Sequence, residues 1–139
     1  MTTSTNNANS QETALLAVLM KLQMFTSLIY GVAFFVLPVW TLQTIFSFDQ
    51  LPPITWPRGI GATFLAIALS EYLCLRHLSE RLDEVWYFVA FPGLLMLGLI
   101  WDRLAGTYQG SGLFYWVSIT VTAFFFLTVG GARLRIKSI

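Results

Sequence analysis

The side chains able to do chemistry in this chain are few and widely spaced: Lys21, Glu71, Cys74, Arg76 beside His77, and the pair Asp102 and Arg103. Glu71 sits within an apolar segment, five residues before Arg76 and so about 7.5 Å deeper along a helix. Lys21 enters another apolar segment from the same end, which makes the two a candidate intramembrane ion pair. An unpaired, unhydrated charge in a bilayer costs about 3 kcal/mol or more. Two other arrangements meet the same need: each side chain reaches separately for the headgroups, or Glu71 pairs with Arg76 on its own helix. Coupled transport calls for a carboxylate near mid-bilayer, and Glu71 lies closer to the edge.

Other chemistries lack their residues. His77, the single histidine, falls at a segment edge with no second histidine to share an axial role at a haem or chlorophyll. The single cysteine, Cys74, excludes an intramolecular disulfide and a multi-thiolate metal site, and reads as an apolar filler. Asp102, Arg103 and Arg58 read as solvated helix-end charges. HExxH, CxxC and Walker patterns are absent, and the GIG and GSG glycines lack the rest of a dinucleotide fingerprint. No catalytic, metal or cofactor-binding residue is assigned. The net charge of +1, with dispersed basic residues, gives no sign of nucleic-acid binding.

The elements that hold these residues are four apolar segments, near residues 22–40, 59–75, 85–101 and 113–130. As helices of roughly 17 to 19 residues they span about 25 to 29 Å, the thickness of a hydrocarbon core. Charged residues make up 11% and hydrophobic residues 56% of the 139, too few charges for a water-facing surface, which carries about 25%. The expected fold is all-α, an integral membrane four-helix bundle over residues 14–132 with short loops and antiparallel consecutive neighbours. Residues 1–13, MTTSTNNANSQET, lack the basic start of a secretory signal and read as a disordered polar tail; residues 133–139 read as a basic tail.

Basic residues set the expected orientation. Lys21, Arg76, Arg81, Arg133, Arg135 and Lys137 fall on one side and Arg58 and Arg103 on the other, which places both termini in the cytoplasm of a plasma (inner) membrane. Trp40, Trp56, Trp101 and Trp116 at the outer boundary and Trp86 at the inner one are expected interface anchors.

Packing signals distinguish the segments. A first helix continued to Phe46 is too long for one upright span, and Pro38 offers a kink beside Trp40. Gln23, Thr26, Ser27 and Tyr30 form a polar stripe on one face of it, expected to turn toward other helices. Ala62, Ala66 and Ser70, with Gly59 and Gly61 nearby, form a small-residue face expected at the bundle centre. Gly93 beside Pro92 marks a bend or close contact, and Pro92 leaves a backbone carbonyl that needs another partner. The last helix, without an ionisable group between Leu113 and Gly130, reads as the most lipid-like, its Phe124, Phe125 and Phe126 as lipid-facing bulk or the lining of a quinone or pigment site. Activity is expected between the first two helices.

The arrangement YGVAFFVLPVW followed by PRGIGATFLAIALSEYLCLR resembles the small four-helix bacterial membrane proteins of the DoxX-like type, over about half the chain. The resemblance implies a membrane bundle, with some members serving as membrane subunits of oxidoreductases that pass electrons to quinone; it assigns no residue here. The expected function is a non-catalytic accessory or assembly subunit of a larger membrane complex. Its rivals are a small self-associating transporter or channel and a quinone- or lipid-binding subunit of an oxidoreductase. Expected partners are the lipid bilayer and other membrane subunits or further copies of the chain, with bound lipid, and a quinone or pigment as the alternative ligand.

Overall fold

The computed structural model describes residues 2–48, 50–108 and 111–136, with side chains from Ser10 onward. Its elements are α1 (Thr2–Val36), the short α2 (Pro38–Trp40) continued by a π-helical turn (Thr41–Ile45), α3 (Thr55–Arg76), α4 (Val85–Leu104) and α5 (Gly112–Arg135). No strand occurs among the described residues. Four helices are long and apolar enough to cross a membrane: Ser10–Val36 of α1, then α3, α4 and α5. The chain is a multi-pass helical protein by this measure.

Helix boundaries follow local chemistry. Leu37, with φ −121° and ψ 49°, interrupts the first span ahead of Pro38, and the Thr41 hydroxyl donates to the Ala33 carbonyl at 2.9 Å across the break. Ser111 caps α5, its hydroxyl accepting from the Phe114 N–H at 3.3 Å. The first helix already runs from Thr2, so the expected disordered tail is helical backbone, an extension of the turns formed by Ala14 to Met20. Lys137 and the end of the expected basic tail lie outside the described residues, whereas Arg133 and Arg135 belong to α5.

Glycine contacts pair the helices. An added Cβ at Gly61 of α3 would lie 2.5 Å from the Phe35 nitrogen and 2.9 Å from the Gly31 carbonyl oxygen, so α1 and α3 meet backbone to backbone. On the other side, Gly93 of α4 receives the Phe126 ring, and Gly130 of α5 sits against Val89. α1 also packs on α5, which joins the two pairs. The order across the molecule is therefore α3, α1, α5, α4. Consecutive α3 and α4 scarcely touch, which corrects the expectation that all consecutive helices are packed neighbours. Their short connection spans the gap without closing it, because each helix is committed to a different glycine contact.

The small-residue face is displaced for the same reason. Gly61, Ala68, Glu71 and Cys74 are the buried side of α3, while Ala62, Ala66 and Ser70, on the roughly opposite side of the helix, are exposed, and Gly59 has open space around it. The ridge expected at the bundle centre faces outward.

The apolar core gathers at the end that carries the α3–α4 connection: Leu16, Met20, Cys74, Leu78, Val85, Phe88, Val129 and Ile136. At the opposite end Phe46 stacks between Phe34 and Phe114, with ring centroids 5.3 and 4.9 Å apart, and the Ser111 N–H donates to the Phe46 carbonyl, tying two loops together. All five tryptophans are exposed near helix ends.

Candidate functional site

Between the apolar core and the aromatic end lies a cavity of about 70 Å³. One water-sized group needs roughly 10–15 Å³, so several fit. α1 contributes Gln23, Thr26, Ser27 and Tyr30, the whole polar stripe read from sequence. α5 contributes Ser118, Thr122 and Phe125, α4 contributes Phe91, Pro92 and Leu95, and α3 contributes Phe64. These positions fall in the middle of their helices, at the depth where a span meets hydrocarbon.

Pro92 explains why Gln23 is there. A proline has no N–H for the carbonyl four residues earlier, which is that of Phe88. Gln23 Nε2 donates to that carbonyl at 2.8 Å from across the bundle, so the backbone acceptor is satisfied by a side chain of α1. A carbonyl only accepts, so the amide must present its NH₂, and its oxygen is left over. Gln23 is 3% exposed, and its Oε1 is buried without a donor.

A second buried polar side chain faces α1 from α3. Glu71 is fully buried and faces Ser27 of α1, whose hydroxyl is the donor within hydrogen-bonding reach of its carboxyl. Lys21 does not reach it. Lys21 follows the buried Met20 and precedes the buried Gln23, which places it about 160° round α1 from Gln23, and its side chain is exposed. The candidate ion pair is absent, as is a pair with the exposed Arg76; no described cation pairs with Glu71. Two of the cavity hydroxyls are spent on their own helices, Thr26 on the Leu22 carbonyl and Thr122 on those of Ser118 and Ile119, while those of Ser27, Tyr30 and Ser118 are not.

Aromatic rings bound the cavity toward α3. Phe64 stacks with Tyr30 at 5.7 Å and meets Phe91 edge to face at 5.4 Å. Beyond that pair the gap between α3 and α4 forms a cleft of about 470 Å³, lined by Ile67, Ser70, Leu73, Tyr87, Phe88 and Phe91, with Arg81 and Glu84 at its loop end. Phe91 lines both spaces.

The remaining polar groups are structural. Arg133, 8% exposed, donates through Nε to the Leu82 carbonyl at 2.8 Å and through a terminal nitrogen to Asp83 at 3.0 Å, and lies over the Trp86 ring at 6.0 Å. It latches the α3–α4 connection to α5, while α4 starts without a side-chain cap. His77 is solvent-facing beside Glu80 at 3.8 Å, and the buried Cys74 thiol donates to the Arg81 carbonyl at 3.8 Å. At the other end Arg103 lies over the Tyr115 ring at 5.6 Å; burial raises the pKa of the adjacent Tyr108 phenol. No group of three metal-ligating side chains occurs among the described residues.

The last helix buries one stripe, Thr122, Phe125, Val129, Gly130, Ala132 and Arg133, and leaves Phe124, Phe126 and Leu127 exposed, so Phe125 alone of the three phenylalanines reaches the cavity. The site lies among all four spans rather than between the first two. Ser118 and Thr122, four residues apart on an apolar helix, were the available signal; Phe64 and Phe91 carry none that separates them from other apolar bulk.

No protein-family model matches this chain, and no curated protein or solved structure is similar to it at a significant level.

Proposed function

We propose that this chain is a non-catalytic accessory subunit of a larger membrane complex whose own contribution is to hold a small lipophilic molecule among its helices. The observation that carries the binding reading is the mid-span cavity with its mixed lining, polar on α1 and α5 and aromatic on α3 and α4. Apolar walls with a few placed polar groups are what a ligand site requires. The accessory reading is supported by the exposed ridge Ala62, Ala66 and Ser70, along which a foreign helix backbone approaches closely. In this reading the termini face the cytoplasm, because the basic residues concentrate at the end bearing the α3–α4 connection and the C-terminus.

Native mass spectrometry after gentle detergent extraction tests both parts. The expected result is a small-molecule adduct on the chain, lost on the cavity-filling change Ser118→Phe, together with co-purifying foreign chains. A folded wild-type chain of bare mass overturns the binding reading. Homo-oligomers alone, with solute flux in liposomes, overturn the accessory reading and favour the transporter.

A further inference from the structure

We infer that the α3–α4 cleft holds one zwitterionic phospholipid bearing a primary ammonium, with its phosphate against Arg81, its ammonium against Glu84 and one acyl chain running inward to Phe91. The site is separate from the mid-span cavity and stands whether or not that cavity is occupied. α3 and α4 scarcely touch, and the walls of the gap between them are apolar: Ile67 and Leu73 on one side, Phe88 and Phe91 on the other. The edge-to-face contact of Phe64 with Phe91 ends the cleft at its inner limit. From the loop end the cleft reaches Phe91 about 10 Å along α4 and Ile67 about 14 Å along α3. That is close to the depth of one leaflet, half of a hydrocarbon core about 30 Å thick. A partner helix must run the whole thickness, whereas an acyl chain ends where this cleft ends.

The charges at the mouth select the head. Arg81 and Glu84 line the loop end of the cleft, their charged groups 3.3 Å apart and both side chains about half exposed. Such a pair is worth little in water, so each member re-pairs at small cost. A phosphate takes the guanidinium, and an ammonium on the same headgroup takes the carboxylate through its N–H donors. A trimethylammonium has no N–H to give, and an anionic head without an ammonium brings its charge beside Glu84 uncompensated. Along the connection Arg76, Arg81 and the latched Arg133 balance Glu80, Asp83 and Glu84, so it presents no cationic excess to draw an anionic lipid.

Three phospholipid probes with one diazirine-bearing acyl chain in common and an ethanolamine, choline or glycerol head are each added in trace to phosphatidylcholine vesicles holding the full-length chain, and photolysed. Labelled residues are read by peptide mass spectrometry. The ethanolamine probe is expected to label residues 67–73 and 87–91 about tenfold above the other two, the scale of one hydrogen bond to a charged group. Glu84→Gln is expected to bring it within about twofold of the choline probe. Folded Ser118→Phe, which fills the separate cavity, is expected to keep the full excess. Equal labelling by the three probes marks bulk lipid alone and overturns the inference, as does an excess for the choline or glycerol head. Absence of labelling at residues 67–73 and 87–91 by every probe overturns the cleft site. The comparison among probes uses the wild-type chain, so it stands even where a variant fails to fold.

Discussion

The side-chain amide of Gln23 on α1 donates to the Phe88 carbonyl on α4 at 2.8 Å, replacing the helical donor that Pro92 lacks. The bond links two spans that are distant in sequence and fixes the floor of the cavity. Gln23→Leu strands the carbonyl and is expected to cost about 1–3 kcal/mol. In a Pro92→Ala background the helix supplies its own N–H, and the same change is expected to cost at least twofold less. A double-mutant cycle on unfolding free energy in mild detergent measures this coupling.

Gly61 and Gly59 lie two residues apart on α3 with opposite surroundings. A Cβ at Gly61 meets backbone atoms of α1 at 2.5 and 2.9 Å, whereas one at Gly59 meets nothing within 4 Å. Gly61→Ala is therefore expected to separate the helices and lower stability by about 1–3 kcal/mol, the range for overpacking. Gly59→Ala is expected to be neutral or to stabilise by up to about 1 kcal/mol through helix propensity. Thermal unfolding of the two variants side by side checks the contrast.

Arg133 holds the α3–α4 connection chiefly through the backbone. Its bond to the Leu82 carbonyl is 2.8 Å long, while its carboxylate partner Asp83 has a fully exposed side chain. Arg133→Met is expected to destabilise by roughly 2 kcal/mol, the scale of a charge-assisted hydrogen bond. Asp83→Asn is expected to leave stability near wild type, because solvent screens the exposed pair. Proteolysis within residues 77–84 should accelerate in the first variant and not in the second.

Lys21 and Glu71 point to different surroundings, so charge reversal has no partner to restore. Glu71→Lys is expected to reduce the yield of folded protein severalfold, and adding Lys21→Glu is expected to recover none of it. Size-exclusion yield of the single and double variants reads this directly. Recovery would establish the ion pair that the structure lacks.

What was legible in the sequence depended on whether one segment's own pattern fixed the outcome. Length and hydropathy sufficed for four spans, and Pro38 for the interruption after Val36. The stripe of Gln23, Thr26, Ser27 and Tyr30 was legible as an inward face because its spacing is helical, and Pro92 announced an acceptor in need of a donor. Which residue would supply that donor depended on how α1 and α4 pack, and no local pattern encodes it. Ala62, Ala66 and Ser70 misled because three small residues give a smoother ridge than one glycine, yet only Gly61 permits backbone contact at the distance α1 takes. Lys21 misled because depth along the helix was considered without direction around it.

The central claim is that the mid-span cavity is a ligand site, and a side-chain-resolution density map of the chain in a lipid nanodisc tests it most directly. The expected result is non-protein density within the cavity bounded by Gln23, Phe91, Ser118 and Phe125. A cavity closed by a rotated Phe91 or Phe125, or holding only isolated waters on Gln23, would contradict it.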